Sequence, residues 1–76
     1  MSTTSYTKEV QILKNRLKEL RQLKNLTQEQ LSDKSRVSRT TISDLEVGKK
    51  IVVTNVTLEK LASALELKVT DIFFRD

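Results

Sequence analysis

The chain has 76 residues, with 14 basic and 10 acidic side chains and a formal net charge of +4. That length allows one domain with a modest core, because a chain this size buries only about 60% of the surface its unfolded form exposes. Cysteine and histidine are both absent, which excludes a disulfide scaffold, thiolate metal sites, and the commonest metal ligand and general base near neutral pH.

There is no proline, and Gly48 is the single glycine, a composition suited to helices joined by short connections. Residues 1–8 are polar and Ser/Thr-rich, and read as a flexible lead-in on which only Tyr6 could pack. No apolar run of secretory type follows them, and nothing approaches the roughly 18 apolar residues of a membrane span. The expected setting is the cytoplasm. The positive charge favours solubility and a weak attraction to polyanions, so its placement matters more than its total.

The spacing of Val10, Leu13, Leu17 and Leu20, with Leu23 beside Leu20, predicts a first helix over Lys8–Lys24. Asn25 ends it, since asparagine tolerates the left-handed conformation almost as well as glycine. Two start signals follow. At the first, Thr27 can cap free N–H groups, Gln30 can close a capping box, and Leu26 can staple against Leu31. At the second, Val37 precedes the cap Ser38, and Ile42 stands four positions beyond it. These signals predict helices over Gln28–Lys34 and Arg39–Glu46, separated by a tight turn at Ser35 and Arg36. Two short helices at a sharp angle, the second of them polar, make a helix-turn-helix unit.

Gly48 stops the third helix. Ile51, Val52 and Val53 have strand-like composition, but no second strand is expected, so Lys49–Val53 reads as an irregular crossing. Thr54 caps a fourth helix with Leu58, Leu61, Ala62 and Leu65 inward. Lys68–Phe74 reads as a last short helix, anchored by Ile72 and Phe73 with Val69 assisting. The expected fold is an all-α, compact five-helix domain over residues 9–76.

The third helix spends Ile42 and Leu45 on its inner face and leaves Arg39, Thr40, Thr41, Ser43 and Asp44 on the front and sides. Such a surface suits the major groove. Arginine can reach guanine O6 and N7 together, and threonine can donate, accept or touch a thymine methyl. Asp44 can accept from a cytosine amine, or can hold Arg39 or Arg36 in one rotamer. The N-terminus of the second helix offers N–H groups and a helix dipole to a phosphate, with Gln28 adding an amide donor. Arg36, Ser38, Ser43, Lys49 and Lys50 surround the third helix and complete a candidate set of phosphate contacts. The plain alternative is a solvated polar helix face. Arg21, late in the first helix, and Glu46, ending the third, are either a locking salt bridge or two unrelated surface charges.

The stretch LKELRQLKNLTQEQLSDKS, then VSRTTISDLEVGK, with LASALELKVTDIF near the end, resembles the phage-repressor helix-turn-helix family of the lambda-repressor and Cro type. The similarity runs from about Leu13 to Phe74. It implies a phosphate or supporting role for Gln28, base contacts by Arg39, Thr40, Thr41 and in several members Asp44, and an Arg21–Glu46 pair. It also implies a dimer on a two-fold symmetric operator, often closed through the C-terminal part of the domain. Phe74 is the candidate interface residue, since Ile72 and Phe73 are better read as core. Several positions depart from the family pattern. Arg36 stands where glycine usually makes the turn, Val47 replaces a common asparagine, and Ser32 replaces a close-packed alanine. The crossing lacks its usual proline, and Glu66 stands where glycine often ends the fourth helix.

The function expected is sequence-specific binding of double-stranded DNA by a dimeric repressor-type regulator, without cofactor or metal. The alternative is a protein-interaction module of the same fold, an antitoxin or anti-repressor component. No catalytic constellation is present to support an enzyme.

Overall fold

Capping chemistry sets where the helices begin. The computed structural model describes residues 9–11, 14–49 and 52–74. Among them the order is β1 (Glu9–Gln11), β2 (Lys14–Asn15), α1 (Leu17–Leu23), α2 (Gln28–Ser35), α3 (Arg39–Glu46), β3 (Val52–Thr54), α4 (Asn55–Ala64), α5 (Val69–Ile72) and β4 (Phe73–Phe74). At the head of α2, Gln30 N–H donates to Thr27 Oγ1 at 3.0 Å and Thr27 N–H donates to Gln30 Oε1 at 2.8 Å. Both halves of the capping box therefore form, satisfying two donors that a helix start leaves orphaned. Ser38 Oγ accepts from Thr41 N–H at 3.1 Å to start α3, and Thr54 Oγ1 accepts from Thr57 N–H at 3.1 Å to start α4.

Three of the helices stop in the same way. Asn25, Gly48 and Glu66 follow α1, α3 and α4 with φ of 60°, 81° and 60°. At each, the next residue's N–H reaches back to a carbonyl one turn up: Leu26 to Arg21, Lys49 to Asp44, and Leu67 to Ala62. This is the left-handed Schellman termination. The corner between α2 and α3 is left-handed too, at Arg36 with φ 65°. A side chain there costs about 1–2 kcal/mol of backbone strain. Serine hydroxyls brace the corner: Ser32 Oγ donates to the Val37 carbonyl at 2.7 Å, and Val37 N–H donates to Ser35 Oγ at 3.2 Å. The hydroxyl that replaces a close-packed alanine at position 32 thus has its partner.

The five-helix arrangement matches expectation, and two short antiparallel pairs are added to it. β1 pairs with β3 in the register Glu9↔Thr54, Val10↔Val53 and Gln11↔Val52. The β-branched run after Gly48 does have a second strand, supplied by residues expected to open the first helix. Valine opposite valine suits a pleated pair better than a helix turn. The first helix is correspondingly shorter than Lys8–Lys24. Asn15 fixes its start, accepting from Leu17 N–H through Oδ1 at 3.0 Å and donating through Nδ2 to the Leu45 carbonyl at 2.9 Å. Asparagine commonly prefers such local backbone bonds to a helix interior. Leu23 stands largely exposed rather than beside Leu20 in the core.

The last helix is also shorter than Lys68–Phe74. Phe73 and Phe74 leave it as β4 and pair with β2 in the register Lys14↔Phe74 and Asn15↔Phe73. Arg16 N–H adds a 2.8 Å bond to the Ile72 carbonyl. The core gathers Leu17, Leu31, Val37, Ile42, Leu45, Val53, Leu58, Leu61, Ala62, Leu65, Ile72 and Phe73, with Leu20, Leu26 and Val69 packed against it. Both staple pairs, Leu26 with Leu31 and Val37 with Ile42, therefore belong to this core or its margin. No helix among the described residues is long and apolar enough to cross a membrane. The lead-in with Tyr6, and Ile12, Leu13, Lys50, Ile51, Arg75 and Asp76, lie outside the described residues.

Candidate nucleic-acid interface

α3 buries Ile42 and Leu45 and exposes Arg39 and Thr40 at its N-terminal end. Together with Ser43, Asp44 and Gln28 from the start of α2, these residues line a shallow recess of about 360 Å³. Half of the residues expected to meet DNA thus line one recess. A slightly larger cleft, about 440 Å³, lies between the end of α2 and α4, beside Lys34, Val56, Glu59 and Lys60. It shares no residue with the α3 recess.

Behind the recess, Arg21 and Glu46 form an ion pair. Arg21 Nε meets Glu46 Oε2 at 2.6 Å and Nη2 meets Oε1 at 3.1 Å, while Nη1 donates to the Leu26 carbonyl at 2.6 Å. The two side chains are 10% and 2% exposed. Hydrogen bonding to Glu46 raises the already high pKa of the guanidinium, partly opposed by desolvation and aided by charge attraction. Arg21 therefore stays cationic throughout the working range of pH. The pair fastens α1 to the C-terminal end of α3. Glu46 Oε1 also accepts from Gln28 Nε2 at 2.9 Å.

A helix-turn-helix family model matches residues 17–72. The chain belongs to the helix-turn-helix family. The matched span runs from the start of α1 to the end of α5, and so contains both the α3 recess and the Arg21–Glu46 pair. No curated protein and no solved structure matches the chain. Membership points to a DNA-binding regulatory function in general terms.

In this helix-turn-helix domain some expected site residues stand apart from the recess or have other partners. Thr41 is half-buried, and its Oγ1 lies 2.9 Å from the Ser38 hydroxyl that caps its backbone N–H, so both side chains are engaged in starting α3. Arg36 is exposed at the left-handed corner. Asp44 pairs with neither Arg39 nor Arg36: its carboxylate lies 3.3 Å from Lys49 Nζ, and its carbonyl accepts from Lys49 N–H. The Schellman ending of α3 folds Lys49 back beside Asp44. Phe74 is half-buried, opposite Lys14. Lys50 is outside the described residues.

Behind the recess, the sequence does not announce the bonds from Asn15 to the Leu45 carbonyl and from Gln28 to Glu46. Asparagine two positions ahead of a helix was the available sign for the first. The second has no local sign, because it depends on how closely α2 and α3 approach.

Proposed function

We propose that this protein is a sequence-specific double-stranded DNA-binding transcriptional regulator of the phage-repressor type. It acts in the cytoplasm as a homodimer on a two-fold symmetric operator. Two copies of α3 enter successive major grooves about 34 Å apart. The observation that carries this reading is the joint exposure of Arg39 and Thr40 on a helix held rigidly from behind. Arg39 reads a guanine bidentately, Thr40 meets a neighbouring base edge, and Asp44, screened by Lys49, accepts from a base amine. Thr41 contacts the same strand from the flank of α3. Gln28, Arg36, Ser38, Ser43, Lys49 and Lys50 serve the phosphates, and Phe74 contributes to the dimer contact.

The test is selection of binding sites from random DNA at physiological salt. A palindromic consensus with half-sites one helical turn apart is expected. Enriched sites without a shared sequence would overturn the reading.

A second reading, a module whose main partner is another protein, has one observation in its favour. Leu23, Val47 and Val52 are 69%, 67% and 60% exposed, unusually open for large apolar side chains, although isolated exposed apolar residues are common. Failure of the selection combined with stoichiometric complex formation with a protein would favour this second reading.

A further inference from the structure

Glu46 is engaged by more than its ion pair. Its side chain is 2% exposed, yet its Oε1 accepts both from Arg21 Nη2 at 3.1 Å and from Gln28 Nε2 at 2.9 Å. One carboxylate at the end of α3 thereby ties together all three helices of the reading unit: α1 through Arg21, α2 through Gln28, and α3 through its own backbone. An ionised carboxylate only accepts hydrogen bonds. The Gln28 amide must therefore turn a nitrogen toward it, since the flipped amide would set oxygen against oxygen. The amide group is planar, so fixing one N–H fixes the directions of the second N–H and of Oε1. Gln28 is the first residue of α2, half-buried at the rim of the recess that Arg39, Thr40, Ser43 and Asp44 share.

We propose that Glu46 is a positioning residue for DNA binding, which acts by locking the Gln28 amide so that its second N–H is directed to a DNA phosphate. The proposal rests on the DNA-binding reading above. Glu46 does not touch DNA. It removes the rotamer freedom that a glutamine would otherwise lose on binding, so part of the ordering cost is already met in the free protein. The contact is made by a neutral amide to a sugar–phosphate backbone. Its loss should weaken binding to all sequences alike and leave the salt dependence unchanged, because no counterion-releasing charge is removed.

The test is a double-mutant cycle on operator binding, using Glu46→Gln and Gln28→Ala in the full chain, well below the unfolding temperature of each variant. Glu46→Gln should weaken binding about threefold to tenfold when Gln28 is present. It should change binding less than about twofold in the Gln28→Ala background. The slope of log K against log salt should be the same for all four proteins. An equal loss in both backgrounds would mean that Glu46 acts only by holding helices together, and would overturn the proposal. If Glu46→Gln does not fold, Glu46→Asp replaces it, keeping a charge for Arg21 while drawing the carboxylate back from Gln28. The same two outcomes then apply. Absence of specific binding by the parent chain is a different result, which removes the DNA-binding reading and the positioning role with it.

Discussion

The segment from Thr27 to Val47 and the segments that flank it are closed by different kinds of bond. Inside the segment, the helix starts and the corner are set between close neighbours: Thr27 with Gln30, Ser32 with Val37, and Ser38 with Thr41. In the flanks, Val10 pairs with Val53, Lys14 with Phe74, and Arg16 with Ile72. Local bonds fix the course of the backbone but do little to fix its place in the molecule. Distant pairs do the reverse. The Arg21–Glu46 pair belongs to the second kind although it serves the first region, and it is where the helix-turn-helix unit meets its frame.

If that division is right, cutting the connection should cost most. Arg21→Ala leaves the Glu46 carboxylate buried without its cation and should lower stability by about 3–5 kcal/mol, read from urea unfolding. Replacing both partners by apolar residues of similar volume should restore much of the loss. A loss below 1 kcal/mol for the single variant would place the pair among ordinary surface bridges and dissolve the distinction.

The face proposed to read bases should behave independently of the frame. Arg39→Ala is expected to weaken operator binding by about 1–3 kcal/mol and to relax preference at one base pair in each half-site. Its unfolding midpoint should stay within experimental error of the parent chain. Unchanged sequence preference in a repeated site selection would remove Arg39 from the base-reading set.

Local bonds should have local costs. Thr27→Ala removes the hydroxyl half of the capping box and should cost about 1 kcal/mol, with hydrogen exchange faster at the head of α2 than in α4. The smallest effect has the opposite sign. Arg36→Gly relieves a left-handed side chain but frees the unfolded chain, so a net gain of roughly 0.5 kcal/mol is expected. A loss on that substitution would show that the Arg36 side chain makes a stabilising contact that outweighs its backbone strain.

The same division explains what could be read in the sequence. The caps at Thr27, Ser38 and Thr54, the stops at Asn25 and Gly48, and the inward sets of α3 and α4 all depend on residues within about one turn. They were legible for that reason. The spacing of Val10, Leu13 and Leu17 fits a helix equally well, and nothing local says that Val10 will lie across from Val53. The β-branched run at 51–53 announced a strand, but its partner lay far away in the chain. On α3, sequence grouped Arg39, Thr40, Thr41 and Asp44 by helical geometry and by family resemblance. It could not foresee that Thr41 would be engaged with Ser38, or that Lys49 would fold back onto Asp44. Those outcomes depend on how a cap and a helix end are finished in three dimensions.

The pairing of β2 with β4 has a consequence for the order in which the molecule is completed. A chain made from its N-terminus exposes the α2–α3 segment early, with all its capping partners in hand. The clasp at Lys14–Arg16 has to wait for Ile72, Phe73 and Phe74, and closing so long a loop is the slow, entropy-limited part of folding. The α2–α3 segment, with the Arg21–Glu46 pair that fastens it to α1, can therefore take shape before the last strand closes the clasp. Cleavage after Asp71 would return the protein to that unlatched condition without touching a single residue of the α3 recess.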